Sequence, residues 1–76
     1  MNKVLIFGAG KVGGTIAHLL HHSGDYEVTV ADRDADTLDR LLARLPVQSI
    51  SLEASDHTAM LEAFSAVDAV VSAGPY

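Results

Sequence analysis

The chain has no cysteine and no tryptophan, and only two prolines in 76 residues. Without cysteine there is no disulfide, no thiolate metal site and no cysteine nucleophile. Aromatic side chains make up 5% of the chain, so its core has to be aliphatic. Basic residues are also scarce: Lys3, Lys11, Arg33, Arg40 and Arg44 are scattered among 10 acidic residues, for a net charge of −5. A nucleic-acid surface needs a basic stripe, and this balance excludes one. No apolar run approaches the roughly 20 residues needed to cross a bilayer. Met1-Asn2-Lys3 leads into only four apolar residues before a glycine, which is not a signal peptide. The hydrophobic content of 49% is that of a folded chain rather than a disordered one. A single small domain is expected, soluble and cytoplasmic, with neither nucleic acid nor membrane among its partners.

Glycine, by contrast, is concentrated. "FGAGKVGG" (Phe7 to Gly14) carries four glycines directly after the apolar run Val4-Leu5-Ile6-Phe7. That run is continuous rather than alternating, the habit of a strand buried on both faces of a parallel sheet. From Lys11 to His22 the pattern turns helical, with Val12, Ile16, Leu19 and Leu20 expected on the buried side and Gly24 as a left-handed stop. "YEVTVA" (Tyr26 to Ala31) reads as a second strand. A second helix follows, its Leu38, Leu41, Leu42 and Leu45 at amphipathic spacing, capped by Asp34 or Asp36 and ended by Pro46.

"VQSISL" (Val47 to Leu52) alternates like an edge strand, and Ser55 or Asp56 opens a third helix carrying Met60, Leu61 and Phe64. "DAVVSA" (Asp68 to Ala73) reads as a short, buried fourth strand. The resulting βαβαβαβ order implies an α/β doubly wound parallel sheet of the Rossmann type, in part. Its expected strand order is 3-2-1-4, with the first two helices on one face and the third on the other.

The glycine spacing is Gly8-x-Gly10-x-x-Gly13. In a strand–loop–helix setting, Gly8 permits the sharp turn and Gly10 lets a pyrophosphate approach the backbone. Gly13 lets the helix pack close to the sheet. The N–H groups at Lys11 and Val12 then point at the bound anion. Asp32, at the end of the second strand, is placed to accept both adenosine ribose hydroxyls and to repel a 2′-phosphate, which favours NAD. Arg33 beside it keeps NADP open, since a guanidinium can stack on adenine or reach a 2′-phosphate.

Other constellations carry less. "DRDAD" (Asp32 to Asp36) begins like a calcium loop, but Thr37 and Ala43 stand where glycine and glutamate are required. Those acids fit the positive end of the second helix instead. His18, His21 and His22 have the i, i+3, i+4 spacing of a helical zinc pair, but apart from distant His57 no ligand is at hand to complete a site, so a solvated helix end is expected and no metal site. The Walker A pattern is absent, and no serine sits in a GxSxG context.

Together, "KVLIFGAGKVGGTIAHLL", "VTVADRD" and "DAVVSAGPY" resemble the N-terminal NAD(P)-binding domain of the saccharopine dehydrogenase-like oxidoreductases. The resemblance spans essentially the whole chain; the "SAGPY" ending points to this family, while the N-terminal half is generic to dinucleotide folds. It implies pyridine-nucleotide-dependent chemistry at a carbon–nitrogen bond of an amino-acid adduct. By position, Gly8, Gly10, Lys11, Val12 and Gly13 would hold the pyrophosphate, and Asp32 and Arg33 the adenosine ribose. Ser72, Ala73, Gly74 and Pro75 would lie along the cofactor toward the nicotinamide ribose, and Ala54 would touch the adenine edge. The family's acid–base groups belong to a substrate domain, absent from these 76 residues. The chain therefore reads as a truncated, cofactor-binding part of an enzyme, with no catalytic residue of its own. A second copy could pair along the bare edge of the fourth strand.

A different class shares several of these features. Regulatory nucleotide-sensing domains of potassium-transport systems have the glycine loop, the acid after the second strand and a loop similar to Ala54-Ser55-Asp56, but not the "GPY" turn. They act without catalysis.

Overall fold

The computed structural model describes residues 2–53 and 55–73. Strand β1 (Asn2–Phe7) passes through the glycine loop into helix α1 (Lys11–Ser23). Then come β2 (Tyr26–Asp32), α2 (Ala35–Leu42), β3 (Gln48–Ser51), α3 (His57–Ser65) and β4 (Ala69–Ser72). The strands form one parallel sheet in the order β3-β2-β1-β4, as expected.

The unbroken apolar run of β1 is explained by its central position. Successive side chains of a strand point to opposite faces. Val4 and Ile6 enter a core with Ala17, Val28, Val30, Leu38, Leu41 and Leu45, beneath α1 and α2. Leu5 faces the other way, toward Ala31, Leu52 and the half-buried Ala59, Met60 and Ala63 around α3. Burying each of these larger side chains contributes roughly 1.5–3 kcal/mol. The helix termini also follow local chemistry. Gly24 adopts φ 79° at the end of α1, while Asp34 and Asp56 cap α2 and α3 by accepting from the Asp36 and Ala59 amides. Among the described residues no helix is long and apolar enough to cross a membrane.

Two expectations need correction. In α1 the buried residues are Gly13 and Ala17, with Ile16 and Leu20 half-buried, whereas Val12 and Leu19 are 61% and 64% exposed. Small residues face the sheet because the loop brings the start of α1 almost onto the end of β1, leaving no room for larger ones. Strand β4 is short but not buried: Val70 is 42% exposed and only Val71 of its residues is half-buried. Among the described residues it pairs only with β1, at the edge of the sheet, and the α3 side chains Ala59, Met60 and Ala63 pack around Leu5, Ala31 and Leu52 instead. Leu61 and Phe64 of α3 are likewise exposed.

Candidate cofactor-binding site

The parallel register brings the C-terminal ends of all four strands close to level. Phe7 pairs with Ala31 on one side and Ser72 on the other, and Asp32 pairs with Ser51. The glycine loop lies over this crest. Gly8 takes φ 115°, a conformation that side chains rarely allow, and its N–H donates to the Ala31 carbonyl at 2.8 Å. Ala73 N–H donates to the Phe7 carbonyl at 2.9 Å, extending the ladder past β4.

The loop hands over to α1 at Gly10, which is exposed, extended at φ −71° and ψ −162°, and has nothing within 4 Å of where a Cβ would stand. The first turn of a helix leaves N–H groups without intrahelical acceptors. Aspartates supply acceptors for α2 and α3, but α1 has neither a side-chain cap nor an acid in its first turn. Its positive end is therefore left available to an anion from outside. Gly13, three residues on, is buried, and a Cβ there would strike the Gly8 carbonyl oxygen. Gly8, Gly10 and Gly13 thus meet three separate geometric demands.

Asp32 is half-buried at the end of β2, beside this loop. Its Oδ2 accepts the Ala9 amide at 2.8 Å and its Oδ1 accepts the Asp34 amide at 2.9 Å. Arg33 follows as an exposed residue. The structure thus gathers Gly8, Gly10, Lys11, Val12, Gly13, Asp32, Arg33, Ser72 and Ala73 at one end of the sheet. Ala54, Gly74 and Pro75, also expected in the site, lie outside the described residues.

Asp34 caps α2 as the sequence suggests, whereas sequence reasoning missed the backbone contacts of Asp32. Asp34 repeats the contact of Asp32 two residues further along: its Oδ1 accepts the Asp36 amide at 3.0 Å and its Oδ2 the Thr37 hydroxyl at 2.9 Å. Aspartates at i, i+2 spacing are the visible signal of such turns. Hydrogen bonds from the Thr37 hydroxyl and then the Asp36 amide hold the Asp34 carboxyl below its ordinary range. A depressed native pKa means that the contribution is fully present above the ordinary carboxylate value and is lost as pH falls through the native one. Acid titration followed by amide NMR should therefore show the start of α2 loosening in that window, and Asp34→Ala should abolish the pH dependence there.

A separate groove of about 530 Å³ runs between α1 and α2, lined by Lys11, Gly14, Thr15, His18, Leu41 and Arg44 among others. It shares only Lys11 with the cradle above. The His18 and His22 rings lie with centroids 4.2 Å apart, tilted by 56°, but no group of three or more potential metal ligands occurs among the described residues.

A parallel sheet in this order, with a glycine loop at the head of α1 and an acid at the end of β2, is a Rossmann-type dinucleotide-binding domain. Residues 4–76 match the family described as the saccharopine dehydrogenase NADP binding domain, and the chain belongs to that family. The whole chain superposes on apo saccharopine dehydrogenase (L-Glu forming) from Saccharomyces cerevisiae with a TM-score of 0.89 and 30% identity, spanning 17% of that protein. A stretch of 50 residues, 64% of the chain, is 46% identical to the Trk system potassium uptake protein TrkA of Halomonas elongata. That match spans 10% of TrkA.

Proposed function

We propose that this domain holds a nicotinamide dinucleotide for an oxidoreductase of the saccharopine dehydrogenase type, acting at a carbon–nitrogen bond of an amino-acid adduct. The observation that carries the reading is the uncapped start of α1, with Gly10 open above it and Asp32 alongside. The first-turn amides and Lys11 would receive the pyrophosphate, and Asp32 would receive the adenosine ribose. Ser72 and Ala73 would border the path toward the nicotinamide. When bound, the dinucleotide supplies the hydride acceptor or donor; this chain's residues bind and orient it. A substrate and its proton-handling groups would come from a further domain.

For the choice of dinucleotide we favour NAD. A carboxylate fixed by two backbone amides stays beside the ribose, where a 2′-phosphate would meet its charge. The family's description names NADP, and exposed Arg33 is the residue that would serve it. Parallel calorimetric titrations decide the point. NADH should bind at least about tenfold more tightly than NADPH, a difference of about 1.4 kcal/mol. Tighter binding of NADPH would reverse the assignment and give Arg33 the leading role.

A second reading rests on the TrkA match: a nucleotide-sensing domain that performs no chemistry. It gains from the position of β4 at the edge of the sheet, where a second copy of the chain would meet the exposed Val70. Dimerisation that changes when NADH is added, followed by light scattering, would favour the sensor over the enzyme module.

A further inference from the structure

We infer that Asp32 is the positioning residue that clasps the glycine loop into its anion-accepting shape, in addition to any contact with a ribose. Two of the three loop residues from Gly8 to Gly10 are glycines, which lose more conformational freedom on folding than any other residue. Such a loop needs tethers. One is the Gly8 amide on the Ala31 carbonyl; at the far end the Gly14 amide closes the first helical turn on the Gly10 carbonyl. Between them the Ala9 amide, on a residue only 6% exposed, donates to Asp32 Oδ2 at 2.8 Å. A buried amide without an acceptor is costly, so this bond selects the loop conformation.

The clasp is itself held from two directions. Asp32 Oδ1 accepts the Asp34 amide at 2.9 Å, and the Asp32 carbonyl accepts the Leu52 amide at 2.9 Å from just beyond β3. Hydrogen bonds to an ionised carboxylate are stronger than neutral ones. Each oxygen can accept again, so the carboxylate keeps room for ribose hydroxyls while holding the loop. Affinity for the phosphates is thereby tied to a residue that never touches them.

The binding consequence rests on the dinucleotide reading above; the clasp is testable without any ligand. Amide hydrogen exchange would be measured at Ala9, with Leu5 and Val30 as core references, in the wild type, Asp32→Ala and Asp32→Asn. Inorganic pyrophosphate, which has no ribose, would be the binding probe. In Asp32→Ala, exchange at Ala9 should accelerate about a hundredfold relative to the core amides. Pyrophosphate affinity should fall about tenfold or more. Asp32→Asn keeps one acceptor oxygen and should lie between, which covers the case of an alanine variant too unstable to study. Unchanged exchange at Ala9 in both variants would overturn the clasp. So would undiminished pyrophosphate binding alongside weakened ADP-ribose. Faster exchange at Ala9 in a protein whose wild type binds neither pyrophosphate nor NADH would uphold the clasp and overturn the dinucleotide reading instead.

Discussion

Gly13→Ala should lower the melting temperature by more than about 10 °C and abolish dinucleotide binding with it. A Cβ at this position would collide with the Gly8 carbonyl oxygen and stand 2.8 Å from its carbon. Both are backbone atoms, so no flexible side chain can swing away. Relief requires either lifting α1 off the sheet, which exposes the fully buried Ala17, or breaking the Gly8–Ala31 hydrogen bond that anchors the loop. Overpacking of this kind costs about 3 kcal/mol. In a domain of this size each kcal/mol is worth about 4–8 °C. Gly14→Ala is the matched control. Its Cβ would meet the Leu41 Cδ1 at 3.5 Å, an ordinary contact, and alanine is the better helix former by about 1 kcal/mol. Thermal unfolding of the two variants side by side separates a steric demand at one glycine from a general effect of altering the helix.

Gly10→Val should do the reverse, leaving the fold nearly intact while weakening NADH and ADP-ribose binding by at least about a hundredfold. Nothing lies within 4 Å of the added Cβ, and the backbone is already extended at negative φ, so the Cβ itself meets neither a clash nor an unfavourable backbone conformation. The loss of a favourable capping residue costs less than about 1 kcal/mol. The valine methyls would, however, occupy the space over the first-turn amides through which a pyrophosphate must approach. A hundredfold loss corresponds to about 2.7 kcal/mol, within reach of displacing an anion from those donors. Calorimetry on a variant whose melting temperature has moved only slightly would check it. Undiminished affinity would mean that the anion does not sit at this helix end.

Much of the fold could be read from the residues because local and global signals agree. The unbroken Val4–Phe7 run, Leu38 and Leu41 at helical spacing, and aspartates ahead of α2 and α3 all do in the structure what their chemistry implies. The buried face of α1 was not legible in that way. Periodicity gives weight to large apolar residues and so selects Val12 and Leu19, whereas close approach to the sheet demands Gly13 and Ala17. The glycine pattern held that information, but as a packing constraint rather than as hydrophobicity. The apolar β4 run misled similarly, since a run buried in a sheet centre and one exposed at an edge have the same composition. At the site, the positions of the glycines and Asp32 were visible, but the Ala9–Asp32 bond was not. It joins residues 23 apart in sequence and depends on the strand register.

The central claim is that the glycine loop and the end of β2 together receive a dinucleotide. It is tested most directly by mapping amide chemical shifts in the isotopically labelled chain as ADP-ribose is added. Saturable shifts should be largest at Ala9, Gly10, Lys11, Val12 and Gly13, with a second group at Asp32 and Arg33. No shifts at millimolar ligand, or shifts confined to Thr15, His18 and Arg44 in the groove between α1 and α2, would contradict it.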